Sequence, residues 1–133
     1  MPEKNQNLML EELKELGTQI RHYSNLRFAI FTVFFAFLGG AVIIGTSFQE
    51  QGISQFYVNS IKIAGLLGTL VFWYFELRLA GSLMKYETRA EELEEQLKFQ
   101  VYTGRLNVKL KTTWVTGILY FAVLIFWVIS FWK

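Results

Sequence analysis

The residues of this chain that could do chemistry are few, and the most unusual are Glu76 and Arg78. The sequence has one histidine, His22, no cysteine, and 11 acidic residues that are all glutamate. It contains no glycine-rich phosphate loop and no pair of zinc ligands. We therefore predict no catalytic residue, no cofactor and no bound metal, and we do not expect an enzyme. For His22 an ordinary position beside the membrane is favoured over a pH sensor.

Glu76 and Arg78 follow an apolar run and are therefore expected near the membrane boundary. Ionisable groups at membrane depth are costly and usually have a partner. Residues two positions apart on a helix do not face each other, so Glu76 needs a partner other than Arg78. Arg27, just before another apolar run, is predicted at matching depth. Two interpretations stay open: a pair that fixes the depth of two helices, or a charged ring at the inner mouth of an oligomeric pore.

The apolar runs around these charges predict three membrane-spanning helices. Residues 28–48 and 112–132 contain no charged side chain, and residues 56–75 contain only Lys62. A bilayer core takes about 20 helical residues to cross. Hydrophobic residues make up 53% of the chain and charged residues 18%, a balance too apolar for a soluble domain of this size. The predicted fold class is an all-α integral membrane protein with a single membrane domain.

The basic residues predict which way the chain crosses the membrane. All but two of the 13 lie before the first predicted span or between the second and third. The exceptions are Lys62 and Lys133. By the positive-inside rule, the N-terminus and residues 76–111 are expected in the cytoplasm and the C-terminus outside. We predict a multi-pass membrane protein.

Two segments outside the spans show apolar residues at spacings of three and four. Residues 7–23 predict a cytoplasmic amphipathic helix, and the second span is expected to continue as a helix beyond Glu76. Their apolar stripes are natural partners for each other, within one subunit or between neighbours. The predicted cytoplasmic interface consists of Leu10, Leu13, Ile20, Leu83, Tyr86, Leu93 and Leu97.

Small residues in the first two spans predict close helix packing. Small side chains let helix backbones approach closely in lipid, where packing drives association. The predicted packing positions are Ala36, Gly40, Gly45, Ala64 and Gly68.

A basic run without acidic residues precedes the third span and consists of Lys98, Arg105, Lys109 and Lys111. Anionic lipid head groups are its expected counter-ions, because the run lies next to the membrane. Nucleic acid is disfavoured, since few aromatic side chains are interleaved with these charges. Whether the segment RLNVKLK, from Arg105, is a strand-like return or the start of the third helix stays open. Lys62, in the second span, either extends to the interface or lines an outer vestibule.

Two phrases of the sequence carry a resemblance to a known group. HYSNLRFAIFTVFFAFLGG and FELRLAGSLMKYETRAEELEEQL, joined by a short outer hairpin, resemble small bacterial multi-pass proteins of anti-phage defence loci, the SLATT-type effectors. The likeness covers about residues 10–100. That group has two spans, whereas this chain is predicted to have three. The resemblance implies an oligomeric inner-membrane effector that permeabilises or depolarises the membrane when a cytoplasmic partner signals infection.

Two functions are therefore predicted as alternatives. The first is a homo-oligomeric membrane effector or channel-like protein, since three helices alone enclose no useful conduit. The second is a non-conducting accessory or anchoring subunit that docks a cytoplasmic protein through its helical layer. Membrane lipid is an expected partner in both.

Overall fold

The fold consists of three α-helices. The computed structural model describes the backbone of residues 3–98 and 105–132, with side chains for residues 5–98 and 113–132. Helix α1 spans Glu3–Glu50, α2 spans Gln55–Leu97 and α3 spans Arg105–Ser130. These described residues form no β-strand. The predicted all-α class is confirmed.

Each helix contains a segment long and apolar enough to cross a membrane, within Asn5–Glu50, Gln55–Leu97 and Thr113–Ser130. The chain is thus compatible with a multi-pass membrane protein. The predicted spans 28–48 and 56–75 lie inside α1 and α2. The third helix ends at Ser130, so the predicted span 112–132 runs into the turn formed by Phe131 and Trp132.

Two of the helices extend well beyond their predicted spans. Residues 7–23 and 28–48 belong to one helix, α1, with no break between them. The chain after Glu76 likewise continues α2 as far as Leu97. A helix satisfies its own backbone hydrogen bonds, so it can pass from lipid to water without interruption. The segment RLNVKLK is the start of α3, which decides between the two alternatives.

Gly52 ends α1 and reverses the chain toward α2. Its φ of 65° lies in the left-handed region that glycine adopts without steric cost. The Gly52 amide donates to the Gln49 carbonyl at 3.1 Å, and the Ile53 amide donates to the Phe48 carbonyl at 3.0 Å. These two bonds form a Schellman motif, which satisfies carbonyls that the helix end would leave unpaired.

The chain divides into two compact units. Unit one comprises Met1–Phe28 and Leu77–Trp114, and unit two comprises Ala29–Glu76 and Val115–Lys133. Helices α1 and α2 each contribute residues to both units.

Unit one has a core where the first part of α1 packs against the second part of α2. Met9, Leu13, Tyr23 and Tyr86 are partly buried against this core. The stripes predicted on the two segments therefore do meet within one chain. The buried core residues are Leu16, Ile20, Leu83, Ala90 and Leu93.

Unit two has an aromatic centre contributed by all three helices. Phe34 and Tyr120 are both fully buried, and their ring centroids lie 4.7 Å apart. Phe72 lies 5.4 Å from Phe34, and Trp73 stacks on Tyr120 at 6.4 Å with an interplanar angle of 6°. Tilted and offset aromatic pairs gain electrostatic energy beyond their burial. These rings fill the space between the helices of unit two.

Candidate functional site

The three residues of the predicted charged group, Arg27, Glu76 and Arg78, differ in how deeply they are buried. Glu76 is 1% exposed, Arg27 is half-buried and Arg78 is exposed. Glu76 belongs to unit two, whereas Arg27 and Arg78 belong to unit one. The pairing of Arg27 with Glu76 stays a prediction. A carboxylate buried this deeply is costly unless it is compensated, which keeps Glu76 a candidate functional residue.

In unit one a charged contact joins α1 and α2 at the surface. Arg89 Nε donates to Glu12 Oε1 at 2.9 Å, and Arg89 Nη1 donates to Glu92 Oε2 at 3.2 Å. The hydrogen bond that Arg89 donates to Glu12, and then the one that it donates to Glu92, raises the pKa of the Arg89 guanidinium. Both pairs are exposed, so solvent screening leaves them a minor contribution to stability. Of the two pairs, only the Arg89–Glu12 pair joins the two helices, because Glu92 lies on α2 with Arg89.

Tyr23 and Tyr86 form a second link between α1 and α2 in unit one. Their ring centroids lie 5.3 Å apart with a tilt of 39°. The neighbouring phenol of Tyr23 raises the pKa of Tyr86, first through a side-chain hydrogen bond and then through its charge, with burial as the smallest cause. His22 packs its ring edge against Tyr23 at 5.7 Å and is itself exposed.

The predicted cytoplasmic interface is largely used within the chain. Leu83 and Leu93 are 2% and 1% exposed, and Ile20 is 4% exposed. A partner protein could reach these side chains only if the two helices of unit one separated. Leu13, Tyr86 and Leu97 are half-buried, and Leu10 is exposed, so the accessible part of the stripe is small.

The predicted small-residue positions in unit two are only partly the ones that make close contact. Ala64 is exposed, and its neighbour Gly65 is buried under the indole of Trp127. Each residue turns a helix by 100°, so a shift of one position changes the face that it occupies. Neither Gly65 nor Trp127 is among the predicted packing positions. The sequence feature that could have indicated this contact is that Gly65 is also a small residue, directly after Ala64.

The other predicted packing positions differ in how closely a neighbouring helix approaches them. At Gly68 an added β-carbon would overlap the ring of Phe37, so the first two helices approach closely there. At Gly45 it would meet only Ile61 Cγ2, at an ordinary 3.8 Å. At Gly40 nothing lies within 4 Å, and Ala36 is exposed. Ala36, Gly40 and Ala64 therefore face away from the close contacts of the single chain.

The end of unit two near the α1–α2 connection contains a buried cation, Lys62. Its side chain is 7% exposed, and Nζ donates a hydrogen bond to the carbonyl oxygen of Ser130, the last residue of α3. Nζ also lies 5.8 Å from the ring centroid of Phe131. A cation at a helix C-terminus interacts favourably with the helix dipole. Lys62 thus ties the start of α2 to the end of α3.

A partly open cavity of about 320 Å³ lies beside Lys62 in unit two. Its lining is mostly apolar and includes Trp127, whose indole Nε1 is buried and has no hydrogen-bond partner among the described residues. The sequence left two interpretations of Lys62 open: extension to the membrane interface, or the lining of an outer vestibule. In the structure Lys62 lines this cavity. The lining comprises Ala41, Val42, Gly45, Thr46, Gln49, Val58, Ile61, Lys62, Phe126, Trp127, Ile129 and Ser130.

No known protein family, curated protein or solved structure matches this chain.

Of the four residues in the predicted lipid-binding run, only Lys98 has a described side chain. Lys98 is exposed and has a φ of 59°, directly after the end of α2. The side chains of Arg105, Lys109 and Lys111 lie outside the described residues, so their contact with lipid stays a prediction. Where side chains are described, no three His, Cys, Asp or Glu residues are grouped so as to hold a metal ion.

Proposed function

We propose that this protein is a homo-oligomeric effector of the bacterial inner membrane that permeabilises the bilayer. The observation that carries the proposal is the arrangement of unit two. Its centre is filled by Phe34, Phe72 and Tyr120, and large apolar side chains such as Ile43, Leu67 and Ile118 are exposed on its outside. A path for ions therefore has to form between subunits and not through one chain.

The proposed orientation places unit one in the cytoplasm. The clustering of basic residues before the first span and after the second supports this assignment. Unit one would then be a helix pair with an apolar core, in which two glutamates, Glu87 and Glu94, are buried as well. The resemblance to SLATT-type effectors supports the same arrangement and suggests a role in anti-phage defence.

Unit one is the proposed receiver of the activating signal. Its two helices are held together by the core around Leu93 and by the Arg89–Glu12 pair. A cytoplasmic partner that separated them would change α2, which continues without a break into its apolar segment. Arg27, Glu76 and Arg78 would then act as charged residues at the inner mouth of the assembled pore.

Two measurements test this function. The mass of the detergent-solubilised particle is expected to correspond to several copies of this chain, and the protein reconstituted in vesicles is expected to release a trapped dye or dissipate an ion gradient. A mixed complex with a second protein and no leak would instead favour the accessory subunit. A monomer that does not leak would overturn the proposal.

The charged mouth is tested separately by Glu76→Gln and Arg27→Ala. Each removes a charge, so each is expected to change the rate or ion selectivity of the leak. Arg21→Ala serves as the matched control, because Arg21 is exposed and lies in the part of α1 that belongs to unit one. Unchanged leak in both test variants would reject the charged-mouth assignment while leaving the oligomeric pore intact.

A further inference from the structure

The cavity beside Lys62 combines an apolar lining with a buried ammonium group. We propose that it is a binding site for an anionic phospholipid, whose phosphate contacts Lys62 and whose acyl chain occupies the apolar part. The site lies at the end of unit two that contains the α1–α2 connection, and a short connection between two spans is expected at the level of the lipid head groups. This inference does not depend on pore formation or on the oligomeric state.

The charge of Lys62 supports an anionic ligand. The ammonium group has three N–H donors, and one of them is used by the Ser130 carbonyl. No carboxylate of a described residue forms an ion pair with it. The Ser130 carbonyl and the ring of Phe131 are neutral, so they compensate the charge only in part. A buried cation in an apolar surrounding is stabilised by an anion that also accepts its remaining hydrogen bonds.

Trp127, another lining residue, is consistent with the same conclusion. Its indole N–H is a donor only, and it is buried without a hydrogen-bond partner among the described residues. Buried polar groups nearly always have a partner, so an unpartnered indole N–H on a lining residue is consistent with an acceptor from outside the chain. Lys62 and Trp127 are both donors, and no acidic residue lines the cavity.

The remaining lining decides between a free anion and a lipid. Most of the residues around the cavity are apolar, among them Val42, Val58 and Ile129. A small soluble anion would leave this surface uncovered, whereas an acyl chain would cover it. The volume of about 320 Å³ falls within the range of about 300–1,000 Å³ that is usual for ligand sites. The cavity therefore fits the head and the first part of one chain.

The test measures lipid selectivity with the full chain in vesicles of equal parts phosphatidylcholine and phosphatidylglycerol. Tryptophan quenching by brominated phosphatidylglycerol is compared with quenching by brominated phosphatidylcholine, and native mass spectrometry counts the lipid that is retained. Lys62→Gln is expected to lower the preference for phosphatidylglycerol about tenfold, the scale of one charged hydrogen bond. Lys62→Arg keeps the charge and is expected to retain the preference.

A second variant and a competing anion complete the test. Ala41→Leu adds volume to the lining while leaving Lys62 in place, so it is expected to reduce lipid retention even if Lys62→Gln fails to fold. Inorganic phosphate is added as a competitor, and the proposal expects it not to displace the lipid. Equal selectivity in the wild type and Lys62→Gln, unchanged retention in Ala41→Leu, or full displacement by phosphate would each overturn the proposed lipid site.

Discussion

The indole of Trp127 occupies the space that a side chain at Gly65 would need. A β-carbon at position 65 would lie 2.5 Å from Trp127 Cε2, well inside van der Waals contact. Trp127 is 3% exposed, so its ring is packed by its surroundings. Gly65 therefore sets how closely α2 and α3 approach within unit two.

The first prediction is that Gly65→Ala destabilises the protein. The added methyl group overlaps the buried indole, and overpacking of this kind typically costs about 1–3 kcal/mol. Thermal unfolding in detergent, followed by circular dichroism, is expected to show a lower midpoint than the wild type.

Gly117→Ala is the matched control for this substitution. Gly117 also lies within a helix of unit two, and nothing lies within 4 Å of a β-carbon added there. The higher helix propensity of alanine is worth about 1 kcal/mol, so this variant should unfold at the same temperature or higher. Equal midpoints for the two variants would contradict the close contact at Gly65.

The second prediction concerns the core of unit one. Leu93→Ala removes a side chain that is 1% exposed and leaves a cavity, for which the usual cost is about 2–5 kcal/mol. Chemical unfolding should therefore begin at a lower denaturant concentration, and proteolysis within unit one should become faster. Leu8→Ala is the control, because Leu8 lies in the same unit and is 57% exposed. Equal effects of the two substitutions would exclude Leu93 as a core residue.

The third prediction is a dependence on alkaline pH through Tyr86. Its pKa is raised above the ordinary 10.0, chiefly by the hydrogen bond with Tyr23. The folded protein holds this proton more tightly than the unfolded chain, so the stabilisation is present below pH 10 and is lost as the pH rises through the raised value. Stability should fall with rising pH in that window more steeply than in Tyr86→Phe.

An ultraviolet titration of tyrosinate checks that Tyr23 is what raises the pKa of Tyr86. The difference between the wild type and Tyr86→Phe isolates Tyr86 from the other tyrosines. In a Tyr23→Phe background the phenol partner is missing, so the pKa of Tyr86 is expected to return toward 10.0. An identical Tyr86 titration with and without the Tyr23 hydroxyl would refute this assignment.

The fourth prediction concerns orientation, and the absence of native cysteine makes it simple to test. Single cysteines placed at Ser24 and at Gln51 are expected to react with a membrane-impermeant thiol reagent from opposite sides. Both positions are exposed, so access to the side chain does not limit the comparison. Ser24→Cys should be labelled only after the inner membrane is opened, and Gln51→Cys in intact spheroplasts. Labelling of both from one side would contradict the three-span topology.

The sequence by itself determined the three helices and their approximate spans. Uninterrupted apolar runs of bilayer length leave the backbone no option but helix in lipid, so the class follows from composition and length. The three- and four-residue spacing in residues 7–23 and after Glu76 likewise indicated which apolar faces, on α1 and α2, would meet around Leu16 and Leu93. Both signals are local, and each can be recognised without knowing the positions of the other helices.

Only the tertiary structure decided which residues touch between helices. In an apolar span every face looks alike, so the sequence could not distinguish Ala64 from Gly65 as the position of contact, or indicate that Trp127 covers it. It also left open whether Lys62 extends to the membrane interface or lines an outer vestibule. The burial of Lys62 beside a cavity depends on where the ends of α1, α2 and α3 meet. That relation joins residues far apart in the chain and is set by helix rotation, which hydrophobicity alone does not encode.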